Sequence, residues 1–125
     1  MIFGIGTDIT EVGRFKRWVA DARMIRRFFN PEEFFSGSGE AAACQHYAAR
    51  FAAKEAFSKA LGTGLAGFEL SDVYIRHDKA GCPELVLENR AAALLASRCG
   101  EARLFVSLSH EKAYAVATVV IEKVE

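Results

Sequence analysis

Three residues combine types and spacings that can do chemistry: Asp8, Glu55 and Lys59. Asp8 closes an apolar stretch, Ile2 to Asp8, where a side chain can leave a core and meet a ligand. Glu55 sits in Arg50-Phe51-Ala52-Ala53-Lys54-Glu55-Ala56-Phe57. Helical spacing places Ala48, Phe51, Ala52, Glu55 and Lys59 on one side. A carboxylate that shares a face with Phe51 and alanines is partly withdrawn from water, and an ionised group there needs a partner or a metal. Two hard carboxylates from separate elements suit Mg²⁺, which keeps several waters and is often completed by substrate phosphates. Each residue also has a plainer reading. Asp8 stands three before Glu11, the spacing of a helix cap. Glu55 and Lys59 are spaced as an exposed i,i+4 pair worth only about 0.3–0.5 kcal/mol.

Other motifs are weaker. Gly62-Thr63-Gly64-Leu65-Ala66-Gly67 fits GxGxxG, but follows a helix rather than a strand, so a dinucleotide fold is rejected. Gly64 then belongs to a flexible loop whose backbone can approach a phosphate. No GxxxxGK[ST] run is present. Ser107-Leu108-Ser109-His110 lacks the GxSxG of a hydrolase, and on a continuing strand Ser109 and His110 point to opposite faces. A strand-end histidine such as His110 more often meets an anion or caps a turn. His46 and His77 have no evident partner and read as surface residues.

The elements that position these residues follow from periodicity and punctuation. Ile2 to Asp8 reads as a buried strand, and Thr10 to Ala22 as an amphipathic helix with its bases outward. Asn30-Pro31-Glu32-Glu33 opens a short helix that Ser36-Gly37-Ser38-Gly39 breaks. Glu40 to Leu61 is the longest helical run, and Gly62 stops it. Asp72 to Arg76 and Glu84 to Glu88 form a hairpin around residues 77–81. Asn89 caps a helix from Arg90 to Cys99, ended by Gly100. Arg103 to Ser109 and Ala113 to Glu122 are strands joined by a tight turn. The order β-α-α-α-β-β-α-β-β predicts an α+β fold: a single domain over residues 1–125, with an antiparallel sheet and a long central helix.

Composition sets outer bounds. Hydrophobic residues make up 51% of the 125, enough for a core, and charged residues 26%, as in an ordinary soluble protein. No run reaches membrane-helix length and the N-terminus lacks a signal-peptide layout, so a cytoplasmic protein without a membrane partner is expected. Cys44, Cys82 and Cys99 are odd in number without CxxC spacing, which speaks against disulfides and zinc. Net charge is zero, yet Arg14 to Arg27 holds six bases against one acid, a local excess of five positive charges suited to an acidic partner.

Three segments together resemble one family, the small holo-acyl-carrier-protein synthases. They are Gly4-Ile5-Gly6-Thr7-Asp8-Ile9, then Arg50 through Ala60 (RFAAKEAFSKA), then Ser107-Leu108-Ser109-His110 followed by Tyr114-Ala115. The resemblance spans the whole chain and is looser from Arg23 to Tyr47. It implies transfer of 4′-phosphopantetheine from coenzyme A to a serine of an apo-acyl carrier protein, in support of fatty acid biosynthesis. Asp8 and Glu55 would be the metal carboxylates, and Lys59 would contact the coenzyme A phosphates. Glu55 would accept the serine proton, directly or through a water. Arg50, Gly64, Ser109 and His110 would line the coenzyme site. Arg14, with Arg23 and Arg27, would receive the acidic carrier. A homotrimer with active sites between subunits is also implied. Family members often carry a basic cluster before RFAAKE, whereas Ala41-Ala42-Ala43-Cys44-Gln45-His46 has no Lys or Arg. Arg50 or a base from a neighbouring subunit would then hold the 3′-phosphate. A related transferase serving a different carrier, as in polyketide synthesis, is the nearest rival. A non-enzymatic nucleic-acid module is a more distant one, because the chain is neutral overall.

Overall fold

The computed structural model describes all 125 residues, Met1–Glu125. Strand β1 runs over Ile2–Glu11, followed by short helices α1 (Lys16–Val19) and α2 (Ala22–Phe28) and the long helix α3 (Glu40–Leu61). Strands β2 (Val73–His77) and β3 (Pro83–Leu87) form a hairpin, and helix α4 (Asn89–Cys99) leads to β4 (Ala102–His110) and β5 (Tyr114–Lys123). The main sheet has the order β1-β5-β4, antiparallel throughout, and β2-β3 forms a separate two-stranded sheet. The expected α+β fold with a long central helix is the one observed.

Alternation divides the main sheet into two faces. Ala115, Ala117, Val119 and Ile121 of β5 are fully buried; the last three share a cluster with Ala52, Ala53, Ala56, Phe57 and Ala60 of α3, and Ala115 joins the cluster around the first half of that helix. A helix flanked by apolar partners on several sides loses its polar stripe, which accounts for the alanine-rich reading of α3. A second cluster gathers Phe15, Phe29, Tyr47, Ala48 and Phe51 around the first half of α3, with Phe15 and Phe29 fully buried. Each such ring stabilises the fold by about 1.5–3 kcal/mol relative to exposure. The opposite face of the sheet is bare: Ile5 is 65% exposed, Ile9 63% and Phe105 52%.

Two glycines decide how closely β1 meets α3. A Cβ on Gly4 would overlap the carbonyl oxygen of Ala60, and one on Gly6 the carbonyl oxygen of Ala56. Only the missing side chains let strand and helix backbones touch.

Three local expectations are corrected. The helix from Thr10 to Ala22 does not form: Thr10 and Glu11 pair with Ala115 and Tyr114 in the sheet. A 3-10 turn (Val12–Phe15) and α1 follow, and Asp21 starts α2 afresh by accepting from Arg23 N at 3.0 Å. Asp8 is therefore no helix cap. Asn89 does not cap α4 either: it lies inside the helix at φ +50°, and its side chain donates to Asp72 Oδ1 at 3.0 Å. The Asn30 capping box is present but supports only one 3-10 turn, Pro31–Glu33.

Candidate active site

Asp8, Glu55 and Lys59 meet where β1 crosses α3. From Gly4 onward the even-numbered residues of β1 face the helix, so Asp8 projects to the same side as Gly6 and Thr10. Its two oxygens have separate partners: Lys59 Nζ at 3.2 Å and Thr10 Oγ1 at 2.9 Å. Lys59 also donates to the Thr7 carbonyl at 3.0 Å. The ammonium of Lys59 thus turns to β1, and the exposed Glu55–Lys59 pair allowed by the spacing is not formed. Lys59 remains 53% exposed and Asp8 16%, so the ammonium can reach a ligand in solution without unburying itself.

Glu55 is half-buried, as its apolar neighbours imply. Burial pushes its carboxyl above the usual range, and the charge of Asp8 pushes it further, against the pull of Lys59 and Arg14. Arg14 lies over the Phe51 ring at 5.2 Å. The charge of Asp8 makes ionisation of Glu55 costlier, a cost that a cation between them would relieve. The donor set is hard oxygen from two residues, which fits a divalent ion completed by water and substrate oxygens. It is too small for a closed structural zinc site.

The other expected residues lie apart. Gly64 is in the exposed loop after α3 at φ +64°, with open space around it. Ser109 and His110 end β4, paired with Val116 and Ala115. Ser109 belongs to the bare face of the sheet, the side opposite Asp8, while His110 has the register of the covered face. Arg50 is on the far side of α3 from Glu55, donating to the His46 carbonyl at 3.2 Å, with its buried Nε unpartnered. Arg14, Arg23 and Arg27 are all exposed, Arg14 in the 3-10 turn rather than a helix. The largest cleft, about 680 Å³, is not at the carboxylates. It lies beyond the end of β1 between Lys16, Glu40, Gln45, Lys112 and Tyr114.

The sequence reading missed a polar cluster behind the site. Glu33 and Lys54 form a fully buried ion pair at 2.7 Å. Lys54 Nζ also donates to the carbonyls of Leu70 and Val73. Glu33 accepts from Asn30 N and Ile75 N, each at 3.1 Å. His46 is not a surface residue: its Nε2 bonds the Glu33 carbonyl, and burial lowers its pKa to about 4. The one available sequence signal was the i, i+4, i+8 spacing of His46, Arg50 and Lys54 along α3.

Comparison with known proteins places the chain in a family. The family profile described as the 4′-phosphopantetheinyl transferase superfamily matches residues 4–119. The chain is 49% identical over 123 residues to the holo-[acyl-carrier-protein] synthase of Treponema denticola, covering 98% of this chain and 99% of that one. It superposes on the crystal structure of the Neisseria meningitidis holo-[acyl-carrier-protein] synthase with a TM-score of 0.86 and 36% identity, covering 98% and 100% of the two chains. The Bacillus anthracis synthase, solved in complex with CoA (3′,5′-ADP), aligns with a TM-score of 0.77 and 33% identity over 99% of each.

Proposed function

The chain belongs to the 4′-phosphopantetheinyl transferase superfamily, and from that premise we propose that it is a holo-acyl-carrier-protein synthase serving fatty acid biosynthesis in the cytoplasm. The observation that carries the reading is the meeting of Asp8, Glu55 and Lys59 at the β1–α3 crossing. The serine oxygen of an apo-acyl carrier protein attacks the phosphorus that bears the pantetheine arm of coenzyme A. The P–O bond to the adenosine half breaks, and adenosine 3′,5′-bisphosphate leaves with the bonding electrons. Such transfer depends mainly on positioning and charge neutralisation.

The residues divide that work. Asp8 and Glu55 would hold Mg²⁺, which supplies positive charge against the pyrophosphate oxygens. Lys59, already facing Asp8 with an exposed ammonium, is suited to neutralise the departing phosphate. Glu55 would take the serine proton through an intervening water. Arg14, Arg23 and Arg27 receive the acidic carrier, and Arg50, Gly64, Ser109 and His110 contact coenzyme A.

Ser109 and Asp8 occupy opposite faces of one sheet. A single ligand meets both most simply when they come from different subunits. The bare face with Ile5, Ile9 and Phe105 supplies the apolar surface that such an assembly, a homotrimer, would cover. Light scattering should give the mass of three chains, and Phe105→Arg should give monomers without activity. A wild-type monomer that is fully active would exclude the shared site.

The deciding experiment is intact-mass spectrometry of an apo-acyl carrier protein incubated with this protein, coenzyme A and Mg²⁺. A gain of one phosphopantetheine, lost with EDTA, is expected. No gain on several purified carriers would overturn the reading.

A further inference from the structure

The Glu33–Lys54 pair sits immediately behind the residue that the reaction uses, and its architecture exceeds what a simple ion pair needs. Both side chains are fully buried. Lys54 donates three times: to Glu33 Oε1, to the Leu70 carbonyl and to the Val73 carbonyl. Glu33 accepts on both oxygens, from Lys54 and Asn30 N on Oε1 and from Ile75 N on Oε2. Its own carbonyl takes His46 of α3, about two turns before Lys54. One carboxylate therefore ties α3 to the chain after α2 and to β2. The Lys54 ammonium also lies over the Phe29 ring at 5.1 Å.

Lys54 and Glu55 are consecutive in α3, so their side chains leave the helix about 100° apart. The pair grips α3 from one direction, while Gly4 and Gly6 let β1 press on it from another. Two contacts from different directions define both the distance and the rotation of a helix. A buried hydrogen-bonded charge resists rotation in a way that alanines do not, because turning it away from its partners strands an ion in the core. The rotational tolerance is small. A carboxylate about 5.5 Å from the helix axis moves about 0.5 Å for each 5° of turn, and a working site needs its groups held to about 0.5 Å.

We propose that the Glu33–Lys54 pair is a positioning device for the reaction: it fixes the rotation of α3 and so aims Glu55 at Asp8. The proposal rests on the reading of Asp8 and Glu55 as the metal-holding pair. Lys54 does not touch substrate and acts through its neighbour.

The test replaces the pair by apolar groups of similar size, Glu33→Leu with Lys54→Met, since such exchanges often leave stability unchanged or raise it. Glu33→Gln, which keeps volume but removes the charge and replaces one accepting oxygen by an amide donor, is the second variant. Three properties are read: thermal midpoint, kcat and carrier KM in the transfer assay, and Mn²⁺ affinity by water-proton relaxation without substrate. Expected for a folded variant is a loss of about 10-fold or more in both kcat and Mn²⁺ affinity, as for residues that orient metal ligands, with carrier KM little changed. A folded variant with kcat and Mn²⁺ affinity within about twofold of wild type overturns the proposal. Failure of both variants to fold overturns it too, because the pair is then a condition of folding rather than of aim. A wild-type protein that neither transfers phosphopantetheine nor binds Mn²⁺ sinks the underlying reading instead.

Discussion

Gly6→Ala tests most directly whether the close approach of β1 and α3 makes the site. The added Cβ would stand 2.7 Å from Ala60 N and would overlap the Ala56 carbonyl oxygen. Both obstacles are helix backbone, so no side chain can rotate away. Clearing Ala60 N alone, to an ordinary contact of about 3.4 Å, takes about 0.7 Å, and the carbonyl requires more, so strand and helix must part by about 1 Å. Overpacking of this kind typically costs about 1–3 kcal/mol. Asp8 lies two residues along the same strand face and Glu55 one residue before Ala56, so the parting acts on the two carboxylates themselves. A misplacement of about 1 Å can lower turnover about 100-fold. The assay is initial rate by intact mass, with thermal unfolding alongside. Gly13→Ala is the control, because a Cβ there meets nothing within 4 Å. The expected result is a rate loss near 100-fold in Gly6→Ala at a stability loss too small to unfold it. Activity within about threefold of wild type, with an unchanged melting midpoint, would refute the claim that this glycine sets the spacing.

Further outcomes follow from charge. Glu55→Gln should lower turnover by about 100-fold or more while the fold survives. Its ionised form is disfavoured in the folded chain, so wild-type stability without divalent ions should rise as pH falls through the Glu55 titration, and this rise should vanish in Glu55→Gln. Arg23→Glu with Arg27→Glu should slow association with an acidic carrier about 10-fold at low salt and flatten its salt dependence, read by stopped flow. His46 behaves in the opposite sense to Glu55: its pKa of about 4 in the fold is below the unfolded value of 6.5. Stability is therefore present above pH 6.5 and lost as pH falls towards 4. Allowing for solvent screening, urea titrations should show a loss of about 1 kcal/mol between pH 7 and pH 5 that His46→Gln lacks.

Local signals made α3, the β2–β3 hairpin and the β4–β5 pair legible in the sequence. Gly62 ends α3 at φ +86°, and the strands alternate as written. The start of the first helix was not legible, because Thr10 and Glu11 are claimed by partners more than a hundred residues away in β5. Sheet pairing of that range outweighs a weak helical period. The break between α1 and α2 carries no Gly or Pro, only Asp21 and its side-chain bond to Arg23 N. Asp8, Glu55 and Lys59 were readable as a set, but their partners were not. Lys59 faces Asp8, at a separation of 51 residues, rather than its i−4 neighbour Glu55.

The least legible feature was the burial of Lys54, and the reason is general. Charged residues are placed outside by default, since burying one costs several kcal/mol unless it is paired and hydrogen-bonded. The compensating groups here come from three segments: Glu33 after α2, the Leu70 carbonyl before β2 and the Val73 carbonyl within it. None lies in α3, so the spacing of His46, Arg50 and Lys54 hints at a shared polar face but no window of sequence contains the partners. Consecutive residues in one helix thus meet opposite fates. Lys54 is sealed among partners that leave it no freedom, whereas Glu55 is left half-open beside another carboxylate that makes its charge costly. The first arrangement gives rigidity and the second gives reactivity. Placing them side by side on one rigid helix lets the rigidity of Lys54 set the aim of Glu55.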